Sequence, residues 1–119
     1  MNRYTIYCTP EQTKKALELG APIINYPLIS SPYGIPKFEE KGIAYIIPTA
    51  EQMIGWIEEQ GFQFNIHTNM FNEWEVLAFT ENTDNTISEV ADSDWKETKI
   101  EAILAAIDAA LEYLTNKKK

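Results

Sequence analysis

Apolar side chains recur at steps of three and four residues near the end of the chain. This spacing is typical of one face of an amphipathic α-helix, and Thr98 followed by Glu101 forms a capping box where the pattern starts. The intervening alanines favour a helix and are small enough to let it approach a sheet closely. The pattern therefore predicts a long C-terminal helix, with apolar positions Ile100, Ile103, Leu104, Ile107, Leu111 and Leu114.

Two shorter helices are predicted upstream, and a threonine introduces each of them. Thr9 is followed three residues later by Gln12, which is a capping-box pattern. Thr49 and Gln52 repeat that pattern. We interpret the similarity as two alike strand-to-helix junctions, not as a duplicated unit, because the prolines after the first helix have no counterpart after the second. The predicted spans are residues 10–20 and 50–60.

Alternation of apolar and polar positions predicts five strands. Phe62, Phe64 and Ile66, for example, would share one face of a half-buried strand. The predicted fold is α+β in the order β-α-β-α-β-β-β-α, with the helices packed on a mainly antiparallel sheet. We assign residues 1–47 to an N-terminal extension, residues 48–115 to an α-β-β-β-α unit and residues 116–119 to a basic tail, together one compact domain. The strands are predicted at residues 3–8, 42–48, 62–68, 73–81 and 86–95.

A proline-rich stretch separates the first two predicted strand–helix pairs. Prolines recur about every five residues from Pro22 to Pro36, and each blocks helix propagation. A long irregular segment is predicted at residues 21–42, and such segments are usually functional or mobile. Its aromatic and aliphatic side chains are either interface anchors or a cover for one face of the sheet. The candidate interaction residues here are Tyr26, Tyr33, Ile35 and Phe38.

Charge is distributed unevenly along this chain of 119 residues, whose net charge is −8. Residues 1–47 carry five basic and four acidic side chains, whereas residues 48–115 carry fourteen acidic side chains against Lys96 and Lys99 alone. Such an acidic surface repels phosphate backbones, so nucleic-acid binding is disfavoured. Glu89, Asp92 and Asp94 are the acidic candidates for an interaction with a basic partner.

The predicted unit at residues 48–115 resembles the double-stranded-RNA-binding domain. The local match is "TKIEAILAAIDAALEYL", with Thr98 as cap and an alanine-rich packing face. The resemblance implies two helices on one face of a three-stranded antiparallel sheet. Of three family lysine positions at this helix start, only Lys99 is kept, and the other two are Ile100 and Ile103. The family's Gly-Pro-x-His element is replaced by "HTNMFNE", so the resemblance is to the architecture without the RNA-binding chemistry.

The whole chain also resembles small uncharacterised proteins of phage and prophage type from gut bacteria. The stretches that carry this resemblance are "CTPEQTKKALELGAPI", "PTAEQMIGWIEEQ" and "EAILAAIDAALEYL". It implies a mobile-element context and no particular activity.

Carboxylate pairs are plentiful but are interpreted as a solvated acidic edge, whereas the other residues suited to catalysis or metal binding are few. Cys8 is the only cysteine, so no internal disulfide can form, and His67 is the only histidine. Cys8 precedes a predicted helix N-terminus, where a thiol pKa can fall, but a buried inert cysteine is the simpler interpretation. The sequence contains no phosphate-binding loop and no zinc-binding motif, and no cofactor or metal is expected.

These observations predict a cytoplasmic, non-enzymatic, acidic protein-interaction module, such as an accessory or host-modulating protein of a mobile element. The apolar run at the N-terminus is too short for a signal peptide, and no stretch reaches the length of a membrane span. Two alternatives remain: a nucleic-acid-binding protein that uses Lys99 and the basic tail, or a small ligand-binding protein or enzyme built around Cys8 or His67.

Overall fold

The computed structural model describes residues 5–117, which form two compact units divided between Thr49 and Ala50. Helices and antiparallel strands occur in both units, so the α+β class is confirmed. No helix within residues 5–117 is long and apolar enough to cross a membrane.

The first unit contains one helix and a three-stranded antiparallel sheet with strand order β1-β3-β2. The helix starts as predicted, since the Thr9 hydroxyl accepts a hydrogen bond from the Gln12 N–H at 3.1 Å and the Gln12 side chain accepts one from the Thr9 N–H at 3.0 Å. A short 3-10 turn, Leu28–Ser30, follows β1. The remaining elements are α1 (Pro10–Glu18), β1 (Asn25–Pro27), β2 (Lys37–Glu40) and β3 (Ile43–Ile46).

The strand predicted at residues 3–8 is corrected by the structure. Residues 3 and 4 lie outside the described part of the chain, and residues 5–8 contain only an isolated bridge between Tyr7 and Thr49. Tyr7 and Thr49 are each followed closely by a helix, which begins at Pro10 and at Ala50. The two segments therefore do not form a longer ladder.

The proline-rich stretch is also more regular than predicted, because it contributes both outer strands of the first sheet. Pro27 is tolerated since β1 is an edge strand, whose outward side needs no N–H donor. A two-residue turn connects β2 to β3, and both of its residues, Lys41 and Gly42, have positive φ angles of 53° and 78°. This is the backbone of the turn that best matches the twist of paired strands. Over residues 5–49 the observed order is therefore α-β-β-β, not β-α-β.

The second unit has its elements where the sequence predicts them. Its three strands pair antiparallel in the order β4-β5-β6, so residues 5–117 form two separate sheets instead of the single one predicted. A bulge between Ala78 and Phe79 shifts the register of β5 against β6. The elements are α2 (Ala50–Glu59), β4 (Phe62–Thr68), β5 (Trp74–Glu81), β6 (Ile87–Asp92) and α3 (Lys99–Lys117).

The core of the second unit lies between its helices and one face of its sheet. Helix α3 packs on β5 and β6, and α2 packs on β4 and α3. The rings of Phe62 and Tyr113 meet edge to face with centroids 5.6 Å apart. Burial of these apolar side chains is the main force that holds the helices on the sheet. Side chains with almost no exposure include Met53, Ile57, Val76, Ile107 and Leu111.

Candidate interaction surfaces

The stretch from residue 24 to residue 35, here called the apolar segment, exposes large apolar side chains. Ile29 and Tyr33 are 97% and 98% exposed, which is unusual for side chains of this size. Tyr26 and Ile35, two of the predicted interaction residues, are exposed as well. Exposed apolar groups at this density are typical of protein-binding surfaces. The exposed large side chains of the segment are Ile24, Tyr26, Leu28, Ile29, Tyr33 and Ile35.

The backbone of the apolar segment is tied to the central strand of the first sheet and to the turn beside it. The Ile46 N–H donates to the carbonyl of Ile24 at 2.8 Å, and the Leu28 N–H donates to the carbonyl of Gly42 at 2.9 Å. The Ser30 hydroxyl donates to the Pro27 carbonyl at 3.3 Å and so closes the 3-10 turn. These bonds limit the motion of the segment, which lowers the entropic cost of binding through it.

The loop that carries Tyr33 is fastened by a lysine on the following strand. The ammonium group of Lys37 donates a hydrogen bond of 2.7 Å to the carbonyl of Pro32. Gly34, just after Tyr33, has a φ of 75°, in the left-handed region that favours glycine. The Tyr33 ring is thus presented on a fixed loop.

The structure gives Phe38 a different place from the other three candidates of this stretch. It lies within β2, is only partly exposed, and stacks on Tyr45 of β3. Phe38 therefore holds the first sheet together and is not one of the exposed side chains. The sequence places Phe38 in the same irregular segment as Tyr33, because β2 is not predicted from it.

The three acidic candidates lie together on β6 and the turn that follows it, in the second unit. Glu89 is exposed on β6, opposite Phe79. The carboxylate of Asp92 accepts a hydrogen bond of 2.8 Å from the Asp94 N–H. Asp94 itself has a φ of 62°, so it occupies a turn position that aspartate tolerates better than most residues.

One face of the second sheet is turned away from its helices and carries a group of titratable side chains. Along β5, Val76 and Ala78 face the helices, so alternate positions such as Glu75 point to the opposite side. Partial burial raises the pKa of Glu75 above its ordinary value, and a side-chain hydrogen bond with Asp92 and repulsion from that carboxylate raise it further. The charge of His67, which lies directly opposite Glu75 on β4, lowers the pKa of Glu75.

A shallow groove of about 290 Å³ lies at the other end of the same sheet. Its walls come from the end of α2 and from all three strands, and they mix carboxylates with aromatic and amide groups. Neither Cys8 nor His67 lines it. The lining residues are Glu58, Gly61, Phe62, Gln63, Phe79, Thr80, Glu81 and Ile87.

The structural role of Ser93 is not predicted from the sequence. This serine is almost fully buried, its hydroxyl accepts a 2.8 Å hydrogen bond from the Val76 N–H, and it donates to the Asp94 carbonyl at 2.7 Å. It therefore continues the pairing of β6 with β5 and fixes the turn that holds Asp94. The sequence offers one weak signal, since Ser93 lies between two acidic residues, Asp92 and Asp94.

The residues considered for chemistry are dispersed. The Cys8 thiol is buried and lies 3.8 Å from the carbonyl oxygen of Thr49, to which it donates. His67 is exposed on β4 of the second unit. Among the described residues, no three or more histidine, cysteine or acidic side chains are grouped in a way that could hold a metal ion.

The lysines considered for nucleic-acid binding are only partly described. Lys99 holds its ammonium 5.5 Å from the centroid of the Trp74 ring, a cation–π contact within the second unit. Lys117 ends α3, and the rest of the basic tail, residues 118 and 119, lies outside the described residues.

Comparison of the chain with protein-family models, with curated proteins and with solved structures found no match.

Proposed function

We propose that this protein is a non-enzymatic protein-interaction module whose apolar segment binds a protein partner. The observation that carries the proposal is the almost complete exposure of Ile29 and Tyr33 on a backbone held by hydrogen bonds. Each exposed apolar side chain of this size would gain roughly 1.5–3 kcal/mol on full burial. Tyrosine in particular supplies a large contact area with few rotatable bonds, which is why it is common at binding hot spots.

The acidic second unit supports a basic character for the partner. Fourteen of the eighteen acidic side chains lie in residues 48–115, including the group on β6. Complementary charge speeds encounter and rejects acidic competitors more than it adds affinity. We therefore assign apolar anchoring to the first unit and electrostatic selection to the acidic group of the second unit, Glu89, Asp92 and Asp94. The resemblance to small phage-type proteins supports an accessory or host-modulating role in a mobile element.

The proposal is tested by photo-crosslinking in cells that naturally contain the protein. A benzophenone amino acid is placed at position 29 or position 33, and at position 59 as a control, because Glu59 is exposed on α2 of the second unit. We expect one and the same protein to be captured from positions 29 and 33 and not from position 59. Equal labelling from all three positions, or no adduct at 29 and 33, would contradict it.

A second candidate, nucleic-acid binding, is favoured by the α-β-β-β-α order of the second unit, the order that the double-stranded-RNA-binding domain shares. The charge of that unit opposes it, because duplex RNA is recognised largely through phosphates and 2′-hydroxyls. Lys99, the one family lysine kept, contacts Trp74 within its own unit. Retention on duplex RNA at low salt separates the two functions.

A further inference from the structure

Strand β4 forms an edge of the second sheet, and in the described part of the chain no strand pairs with its outer side. It spans seven residues, Phe62–Thr68, and all of them pair with β5 on the inner side without interruption. An edge of this length presents a row of unpaired backbone donors and acceptors, which is a template for another strand.

The β4 edge lacks the features that usually prevent strands from associating. Natural edge strands are protected by charged side chains, prolines, bulges or short length. Strand β6, the other edge of the same sheet, has a bulged register and carries Glu89 and Asp92. In the first sheet, β1 has three residues and contains Pro27, and β2 has four residues, three of them charged. Strand β4, with the sequence "FQFNIHT", has none of these protections.

Charge favours a second copy of this chain as the occupant of the edge. The chain has a net charge of −8, yet residues 60–72 contain no aspartate, glutamate, lysine or arginine. Two β4 strands can therefore lie side by side without placing like charges opposite each other, which would destabilise the pair. A basic strand would gain nothing from this edge and would be drawn to the acidic residues elsewhere.

The sequence of β4 is also complementary to itself in one antiparallel register. With Asn65 opposite the same residue of the second copy, Phe64 faces Ile66, and by symmetry Ile66 faces Phe64. Aromatic side chains opposite β-branched ones are among the favourable cross-strand pairs. Ile66 is 45% exposed in the single chain, so it has apolar surface left to bury. The two Asn65 amides can each donate and accept at the centre.

We infer that two copies of this chain pair through their β4 strands, antiparallel and centred on Asn65, to form a continuous six-stranded sheet. The contact is isologous and closes on itself, so the assembly stops at a dimer. This dimer goes beyond the proposed function and does not involve the apolar segment.

The register is tested with two single-cysteine additions to the full chain, Asn65→Cys and Gln63→Cys. Both positions are exposed and lie on the same face of β4. In the inferred dimer the two 65 positions are directly opposite, within the reach of a disulfide. The two 63 positions are offset by four residues, or about 14 Å, which a disulfide cannot span. Oxidation should therefore give covalent dimer from Asn65→Cys and almost none from Gln63→Cys.

The dimer itself is tested by sedimentation of the wild type, Asn65→Lys and Asn65→Thr across a concentration series. Wild type and Asn65→Thr should sediment as dimers, since threonine is a neutral strand former, and Asn65→Lys should sediment as a monomer with an unchanged circular dichroism spectrum. Tyr33→Ala should remain dimeric, which separates this inference from the proposed function. A wild type that is monomeric at every concentration, or equal crosslinking of the two cysteine variants, would overturn it.

Discussion

The ring of Phe38 stacks on the ring of Tyr45, with centroids 5.0 Å apart and planes inclined by 17°. The two residues are direct partners in the antiparallel pairing of β2 with β3. Tyr33, only five residues earlier in the chain, is 98% exposed. Two aromatic residues of one proline-rich stretch therefore have different tasks: Phe38 stabilises the sheet, and Tyr33 is available to a partner.

Truncation of Phe38 should destabilise the protein, whereas truncation of Tyr33 should have almost no effect on its stability. We expect Phe38→Ala to lower the free energy of unfolding by about 1–2 kcal/mol, because it removes an aromatic cross-strand pair and its packing. Tyr33→Ala should change that free energy by less than about 0.5 kcal/mol, as is usual at exposed positions. Urea unfolding of both variants checks this. A Tyr33→Ala variant that loses as much stability as Phe38→Ala would show that Tyr33 is a structural residue.

Removing the Lys37 ammonium should loosen the loop that carries Tyr33. Lys37→Met keeps most of the aliphatic stem and deletes the 2.7 Å hydrogen bond to the Pro32 carbonyl. We expect faster chymotrypsin cleavage after Tyr33, because cleavage at an exposed loop follows its local opening. Lys14→Met, which removes only the exposed ion pair with Glu40, is the control and should leave the cleavage rate unchanged. Equal cleavage rates in wild type and Lys37→Met would show that the Lys37 hydrogen bond does not hold the loop.

Ser93→Ala should destabilise the second unit. The substitution leaves the Val76 N–H without the hydroxyl acceptor that it contacts at 2.8 Å in a buried place. A buried donor that loses its partner costs about 1–3 kcal/mol. Thermal and urea unfolding measure the loss, and Ser30→Ala, at an exposed serine of the 3-10 turn, is the matched control. If the two serine variants are equally stable, the Ser93 hydroxyl is not a structural tie.

The raised pKa of Glu75 has a consequence for stability against pH. Because its pKa in the folded chain is above the unfolded value, the native state binds more protons between the two values, and stability falls as pH rises through that window. We therefore expect Glu75→Gln to be more stable than wild type at pH 7, with the difference disappearing below the unfolded pKa. Melting temperatures at pH 3.5 and pH 7 test this. A Glu75→Gln variant that is less stable at pH 7 would reverse the assigned sign.

The protein should fail to bind duplex RNA. Residues 48–115 have a net charge of −12, and counterion release requires cations against the phosphates. Passage over immobilised duplex RNA at about 50 mM salt, where such binding is strong, should give no retention. Retention that is lost in Lys99→Ala would instead support the nucleic-acid function.

The second unit was predictable because its signals are strong and local. The period of α3, the Thr98–Glu101 cap and the alternation in β4 each determine one element, and the structure has each within a few residues of its predicted place. The first unit was less predictable because β1 and β2 are only three and four residues long and depend on pairing with β3. The Lys41–Gly42 pair was the available signal for a hairpin, and the surrounding prolines obscured it.

The candidate surfaces were predictable in part. Tyr26, Tyr33 and Ile35 were identified from their residue type and restricted backbone, and all three are exposed. Phe38 has the same residue type and setting, but strand register decides whether a side chain meets solvent or a neighbour, and the sequence alone did not reveal that register. The burial of the Ser93 hydroxyl could not be predicted for the same reason, since its role as an acceptor depends on the position of β5.

Partner binding through Tyr33 is measured directly by purifying the protein captured at position 33 and titrating it against wild type and Tyr33→Ala. A hot-spot side chain should cost at least about tenfold in Kd when truncated. Glu59→Ala, the exposed control, should leave Kd unchanged. We expect that loss for Tyr33→Ala with no change in stability, and an unchanged Kd would show that Tyr33 does not anchor the partner.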